Sequence, residues 1–125
     1  MSDYILEMKI SELKSNPINS TIYQDDPDEN KELKDSIEKM GLLEPITITK
    51  NNMVISGHRR LQAIRELGYE TCECRRTYFE NTTIATIELN RYRVKKPSEI
   101  TREAEVLREE LSKYIKKGRP LKGEE

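Results

Sequence analysis

The chain has 125 residues, with 22 basic and 23 acidic side chains and a formal net charge of −1, a length that suits one domain with a single modest core. With 34% hydrophobic and 36% charged residues, the composition excludes a core that uses the whole chain, and the balanced charge excludes a global pull toward nucleic acid. No apolar run reaches membrane-spanning length and the N-terminus has no signal-peptide pattern, so the sequence reads as cytoplasmic.

From the N-terminus, Tyr4 to Ile10 alternates apolar and polar, with Leu6, Met8 and Ile10 on one side, and predicts a short strand. Ser15 to Asp28 contains Asn16-Pro17 and Asp26-Pro27 and reads as loop. Asp28 or Asn30 caps a helix to about Met40, with Leu33, Ile37 and Met40 as its stripe and Gly41 as its stop. Ile46 to Thr49 and Met53 to Ile55 predict a hairpin around Asn51-Asn52. The period then changes abruptly at Ser56-Gly57. Leu61, Ile64 and Leu67 mark a helix that Gly68 ends. Tyr69 to Tyr78 reads as a further strand. Asn81 or Thr82 caps a helix reaching about Arg93. Pro97 opens a last helix whose stripe is Ile100, Ala104, Leu107, Leu111 and Tyr114, closed by Gly118. Strands and helices so mixed predict a small α+β domain with a mixed sheet, flanking helices and a C-terminal helical extension.

One turn stands out chemically. Ser56-Gly57-His58-Arg59-Arg60 joins a β-branched strand to an amphipathic helix. The first N–H groups of a helix lack internal partners and sit at the positive end of its dipole, so an anion is their natural ligand. Gly57 lets a phosphate approach the backbone, and Arg59 and Arg60 can add charge-assisted bonds. Arginines in a first turn are themselves unfavourable, and an anion would relieve them. His58 is the only histidine, so Cys72 and Cys74 have no partners for a zinc site. A disulfide between those two would be strained, so they read as reduced packing residues. Acids crowd Asp25 to Glu32, and bases crowd Arg91 to Lys96 and Lys113 to Arg119, so a local basic patch survives the neutral total.

Three stretches together resemble the N-terminal domain of ParB-like proteins, in the ParB/sulfiredoxin superfamily. Gly41-Leu42-Leu43-Glu44-Pro45-Ile46 looks like the first family box. Ser56 to Arg60, with Leu61 and Ala63, looks like the second, usually Gly-Glu-Arg-Arg. Asn90-Arg91-Tyr92-Arg93, then Pro97 and Glu99, looks like the third, Glu-Asn-x-x-Arg followed by Pro-x-Glu. The resemblance spans roughly residues 8 to 110 and implies a pocket for CTP with Mg2+, with ATP or ADP as alternatives, serving as the switch of a DNA clamp. It carries phosphate and nucleotide contacts over to Gly57, Arg59, Arg60, Asn90 and Arg93, with Ser56 and His58 in the same turn and with Gly41 and Pro45 lining the pocket. Asn90 and Glu88 are the metal candidates. The chain departs from the pattern at His58, where the box has Glu, and at Glu44, which replaces a common Gln. Leu89 also stands where the third box has Glu, with Glu88 one residue early, roughly 100° around a helix. Those departures point to binding without hydrolysis.

The resemblance implies a nucleotide-sensing domain, residues 1–94, in a protein of chromosome or plasmid partition or of transcription regulation. Residues 95–125 would form a C-terminal helix and a linker toward a DNA-binding domain elsewhere in a longer protein. DNA contact would then run mainly through that longer protein, and helix 97–117 offers a homodimer surface. A second reading is a weak NTPase or small-molecule kinase on the same scaffold, with Glu29, Glu32 or Glu44 as base. Peroxiredoxin repair is disfavoured, because Gly57 stands where sulfiredoxins carry cysteine. A third reading is an interaction module without nucleotide turnover.

Overall fold

The computed structural model describes residues 4–24, 26–91 and 95–116, and side chains as far as Lys113. Four strands form one sheet in the order β1-β4-β2-β3. They are β1 (Tyr4–Lys9), β2 (Ile46–Ile48), β3 (Val54–Ser56) and β4 (Thr71–Arg76). β4 pairs antiparallel with β1 and parallel with β2, and β2 pairs antiparallel with β3. The sheet is mixed, as the sequence predicts.

The alternation in β1 and β4 works as the two-residue period requires. Met8 lies opposite Cys72 and Leu6 opposite Cys74, with Met8, Cys72 and Cys74 all buried on one face. Ile46, Ile48 and Val54 continue that face. Two helices cover it: α2 (Pro27–Met40) through Ile37, and α3 (His58–Glu66) through Leu61, Ala63 and Ile64. The two cysteine sulfurs sit 3.8 Å apart, unbonded and buried. The hydrogen bond between them pushes the Cys74 thiol well up from its ordinary value, with burial adding to the effect, and pulls Cys72 down. They are packing residues of the main core.

A second, smaller core joins α1 (Pro17–Ile22), α4 (Thr82–Glu88) and α5 (Pro97–Lys116) through Ile22, Tyr23, Ile87, Val106 and Leu107. α1 corrects the sequence reading, which made Ser15 to Asp28 a loop. Pro17 occupies the first helical position, and the Asn16 side chain accepts from Ile18 N at 3.0 Å. The Pro that marked a break is a helix start. The same logic moves the α2 cap to Asp26, which accepts from Asp28 N and Glu29 N, with Pro27 next. α4 is shorter than expected: Leu89 caps it, and Asn90 and Arg91 continue as a tight turn bonded to Ile87 O and Glu88 O. The expected end at Arg93 lies outside the described residues.

α5 is rotated relative to its apolar stripe. Its inward face carries Glu99, Arg102, Glu103, Val106 and Leu107, while Ile100 is 54% exposed and Ala104 is exposed. The cause is a polar strap. Glu99, 2% exposed, accepts from Gln24 N at 2.7 Å and from Lys96 N at 2.8 Å. Arg102 Nε donates to Ile22 O at 2.9 Å. Glu103 accepts from Tyr23 Oη and pairs with Lys95 at 3.1 Å. Buried polar groups must be satisfied, and these bonds set the helix rotation against the weaker pull of one isoleucine.

α1 is fixed from its other side by Asn16 Nδ2, which donates to Thr86 Oγ1 at 2.8 Å, with the two residues 2% and 0% exposed. Asn16→Ala removes this bond and the α1 cap together. Urea denaturation should show a loss of about 2–3 kcal/mol. A loss below about 0.5 kcal/mol, the size of an ordinary surface change, would mean α1 is not held this way.

Candidate functional site

The switch from β3 to α3 happens at Gly57, whose φ of 102° is left-handed. Ser56 ends the strand and His58 begins the helix, so one residue makes the whole bend. Leu61 N donates to Gly57 O at 2.8 Å, the first helical bond. The N–H groups of His58, Arg59 and Arg60 precede it, and Gly57 has no side chain to cap them. A Cβ at Gly57 would meet Arg60 Nη2 at 3.1 Å and Ile46 Cγ1 at 3.4 Å. The Arg60 guanidinium therefore lies directly over the turn.

The turn opens into a cavity of about 300 Å3. Ser56, Gly57, His58, Arg59 and Arg60 all line it, joined by Asn19 from α1, Leu33 from α2 and Asn90 from beyond α4. The structure thus brings together six of the nine expected nucleotide contacts. Asn90 is positioned by its own amide, which donates to Thr86 O at 2.7 Å. Gly41 and Pro45 sit on the α2–β2 connection and are not in the cavity wall; Gly41 serves as the positive-φ stop of α2. Arg93 lies outside the described residues. Glu88 is not in the wall either, and its carboxylate pairs with Arg91 on the exposed surface.

Sequence reasoning missed two wall residues and the charge arrangement. Asn19 was hidden in a stretch read as loop, and Leu33 was counted only as stripe. No acid sits in the first turn of α3, where His58, Arg59 and Arg60 crowd the positive dipole end. Carboxylates from elsewhere compensate. Arg59 Nη1 pairs with Glu29 of α2 at 2.6 Å, and Arg60 Nη1 pairs with Glu44 at 3.0 Å. Arg59 Nε is buried and has no acceptor among the described residues. The Glu29 and Glu44 side chains are 47% and 80% exposed, so both pairs are weak and exchangeable. Among the described residues, no cluster of three or more His, Cys, Asp or Glu side chains is arranged to hold a metal ion.

The sequence matches the ParB N-terminal domain family over residues 1–93. The chain belongs to that family. Its fold is the ParB/sulfiredoxin fold, shared with three kinds of solved structure. A pNOB8-like ParB N-domain superposes with a TM-score of 0.73 at 15% identity, over 93% of this chain and 50% of that one. The C-terminally truncated chromosome-partitioning protein ParB from Caulobacter crescentus, complexed with CTP-γ-S, gives 0.63 at 21% identity, over 87% of this chain and 65% of that one. Sulfiredoxin from Arabidopsis thaliana gives 0.53 at 26% identity, over 61% of this chain and 86% of that one. This ParB N-domain spans about half the length of the pNOB8-like chains. No curated protein matches it. Among its described residues, no helix is long and apolar enough to cross a membrane.

Gly57→Ala tests the turn. The substitution forces a left-handed alanine and drives its Cβ against Arg60 and Ile46. Stability should fall by about 1–3 kcal/mol in urea denaturation. An unchanged midpoint would show that the bend does not depend on glycine.

Proposed function

We propose that the Ser56–Arg60 turn of this ParB N-domain holds the phosphates of a nucleoside triphosphate, CTP first among them, and that the domain senses nucleotide within a DNA-partition or DNA-regulatory protein. The observation that carries the reading is the cavity at the uncapped α3 N-terminus, walled by Arg59, Arg60 and Asn90. Preorganised N–H groups with two guanidiniums suit a polyphosphate far better than a neutral ligand. CTP is favoured over ATP and ADP because the Caulobacter crescentus ParB of the same fold was solved with CTP-γ-S.

The residues fit Mg2+ only as a companion of the nucleotide. Asn19 and Asn90 bring side-chain amides to the wall, and among the described residues no carboxylate lines it. Mg2+ often keeps its waters and binds through substrate phosphates, so such an ion would neutralise phosphate charge beside Asn90. Glu88, engaged with Arg91, contributes less to this proposal than Asn90 does.

Binding is favoured over turnover. Of the three carboxylates considered as bases, Glu29 and Glu44 are each engaged by an arginine of the turn. Nothing in the site favours a kinase or NTPase reading over a binding device.

Calorimetric titration of CTP, ATP, ADP and GTP, with and without Mg2+, tests the proposal. CTP with Mg2+ should bind at sub-millimolar concentration. Arg60→Ala should weaken it by about tenfold to a hundredfold while leaving the fold intact. Glu29→Gln should tighten it by a few-fold, because Arg59 no longer has to leave a carboxylate. Absence of binding by all four nucleotides would sink the reading, and normal affinity of the Arg60 variant would move the site.

A homodimer through residues 97–117 would use the exposed edge of α5 that carries Ile100 and Ala104, not Leu107, which packs inside. Gel filtration should then show a larger species for wild type than for Ile100→Asp. Equal monomeric elution of both would remove this partner.

A further inference from the structure

A second cavity, of about 390 Å3, lies at the other end of β3 from Gly57. β3 finishes beside the phosphate turn at Ser56 and starts after Met53, which lines this second cavity. The parallel neighbours β2 and β4 run toward it, and their chain continues into it at Thr49 and Thr77. Its walls share no residue with the Ser56–Arg60 cavity.

The frame of this cavity is already bonded. Lys14 N donates to Asn52 O at 2.8 Å, and Val54 N donates to Lys14 O at 3.0 Å. Thr49 Oγ1 accepts from Asn51 N and Met53 N, at 3.2 and 3.1 Å, and so holds the hairpin turn. Thr77 N donates to Ile48 O at 3.0 Å. A cavity on pinned backbone needs little ordering when a ligand enters, which is the usual condition of a small-molecule site.

The lining specifies a chemistry. Met53, Tyr78 and Phe79 offer an apolar, aromatic surface, and Tyr78 is 54% exposed despite its size. Lys14 and Lys50 bring two ammonium groups, and among the described residues neither pairs with a carboxylate. Among the described residues, no acid and no arginine lines the cavity. Each lysine is a compact point charge that pairs with one small anionic group, without the fork by which the arginines of the other site grip two oxygens at once. A mostly apolar wall with unpaired cations asks for a flat apolar body carrying one negative group.

We propose that this cavity is a second ligand site, separate from the nucleotide turn, which takes a small aromatic carboxylate with its ring against Tyr78 and Phe79 and its charge against Lys14 and Lys50. The proposal does not depend on the nucleotide reading, because the two cavities share no wall.

Titration of the 125-residue chain with 4-hydroxybenzoate, followed by backbone amide NMR shifts, tests it. For a ligand this small, a Kd on the order of 1 mM is expected. Shifts should concentrate at Asn51, Thr77 and Tyr78 and spare Gly57 and Arg59. The neutral analogue 4-hydroxybenzyl alcohol should bind about tenfold more weakly, as should 4-hydroxybenzoate to the Lys14→Gln/Lys50→Gln variant. Both lysines are exposed, so an unchanged amide spectrum will confirm that this variant folds. Added CTP should leave the shifts in place. Absence of shifts, shifts centred on Gly57, or equal affinity for the neutral analogue would each overturn the proposal.

Discussion

The left-handed backbone of Gly57 is the constraint on which the candidate site depends. A strand and a helix have different periods and directions, and a single residue here converts one into the other. The bend aims the first N–H groups of α3 at the cavity and lets Arg60 fold back over the turn, 3.1 Å from where a Cβ would stand. Ile46, fully buried at the start of β2, closes the same space from below. Any side chain at this position would therefore strain the bend, displace the guanidinium and crowd the core together. Glycine is required on three grounds: the left-handed backbone, the Arg60 guanidinium and the Ile46 side chain.

The rest of the cavity comes from the other half of the fold. Asn19 and Asn90 reach it from α1 and from the turn after α4. Those elements do not share the main core; they are tied to each other by a small apolar core and by polar bonds. Asn16 joins α1 to α4, while Glu99, Arg102 and Glu103 join the end of α1 to α5. Hydrogen bonds are directional where apolar packing is not, so this arrangement fixes the placement of Asn19 more narrowly than a greasy contact would. It also explains the sparse hydrophobic content. The second core is small because much of its cohesion is polar.

How much of this was legible in the sequence follows from the range of each interaction. The strands, the hairpin, α3 and the phosphate turn rest on neighbours within a few residues, and their patterns predict them. α1 failed because Pro17 carries two meanings, break or first helical residue, and only the Asn16 cap and its distant partner Thr86 decide between them. The rotation of α5 failed for the same reason. Its stripe counts apolar residues, whereas the face is chosen by Glu99 and Arg102 bonding to a segment some 75 to 80 positions away. The family boxes located Asn90, but no local pattern marked Asn19 or Leu33. Wall residues that carry neither a charge nor a motif of their own become visible only when the chain is folded.

The charge arrangement of the site follows from what the chain lacks. Cations at a helix N-terminus oppose the dipole, and no acid in the first turn of α3 offsets them. Glu29 and Glu44 supply the offset from outside that helix, through pairs in which the carboxylate is about half or more exposed. Such pairs are worth little in water, roughly 0–1 kcal/mol each. They are strong enough to keep the arginines oriented toward the turn and weak enough to be exchanged for a ligand. An entering polyphosphate therefore does not add its full attraction to two bare guanidiniums. Bound as proposed, it would replace two solvated carboxylates, and the gain would be the difference between the two partners. Bidentate contacts, the N–H groups of the turn and an Arg59 Nε that lacks an acceptor among the described residues would all favour the phosphate in that comparison. On the proposed reading, a charge balance inside the chain would be exchanged for a ligand outside it, which would let a sensor bind and release.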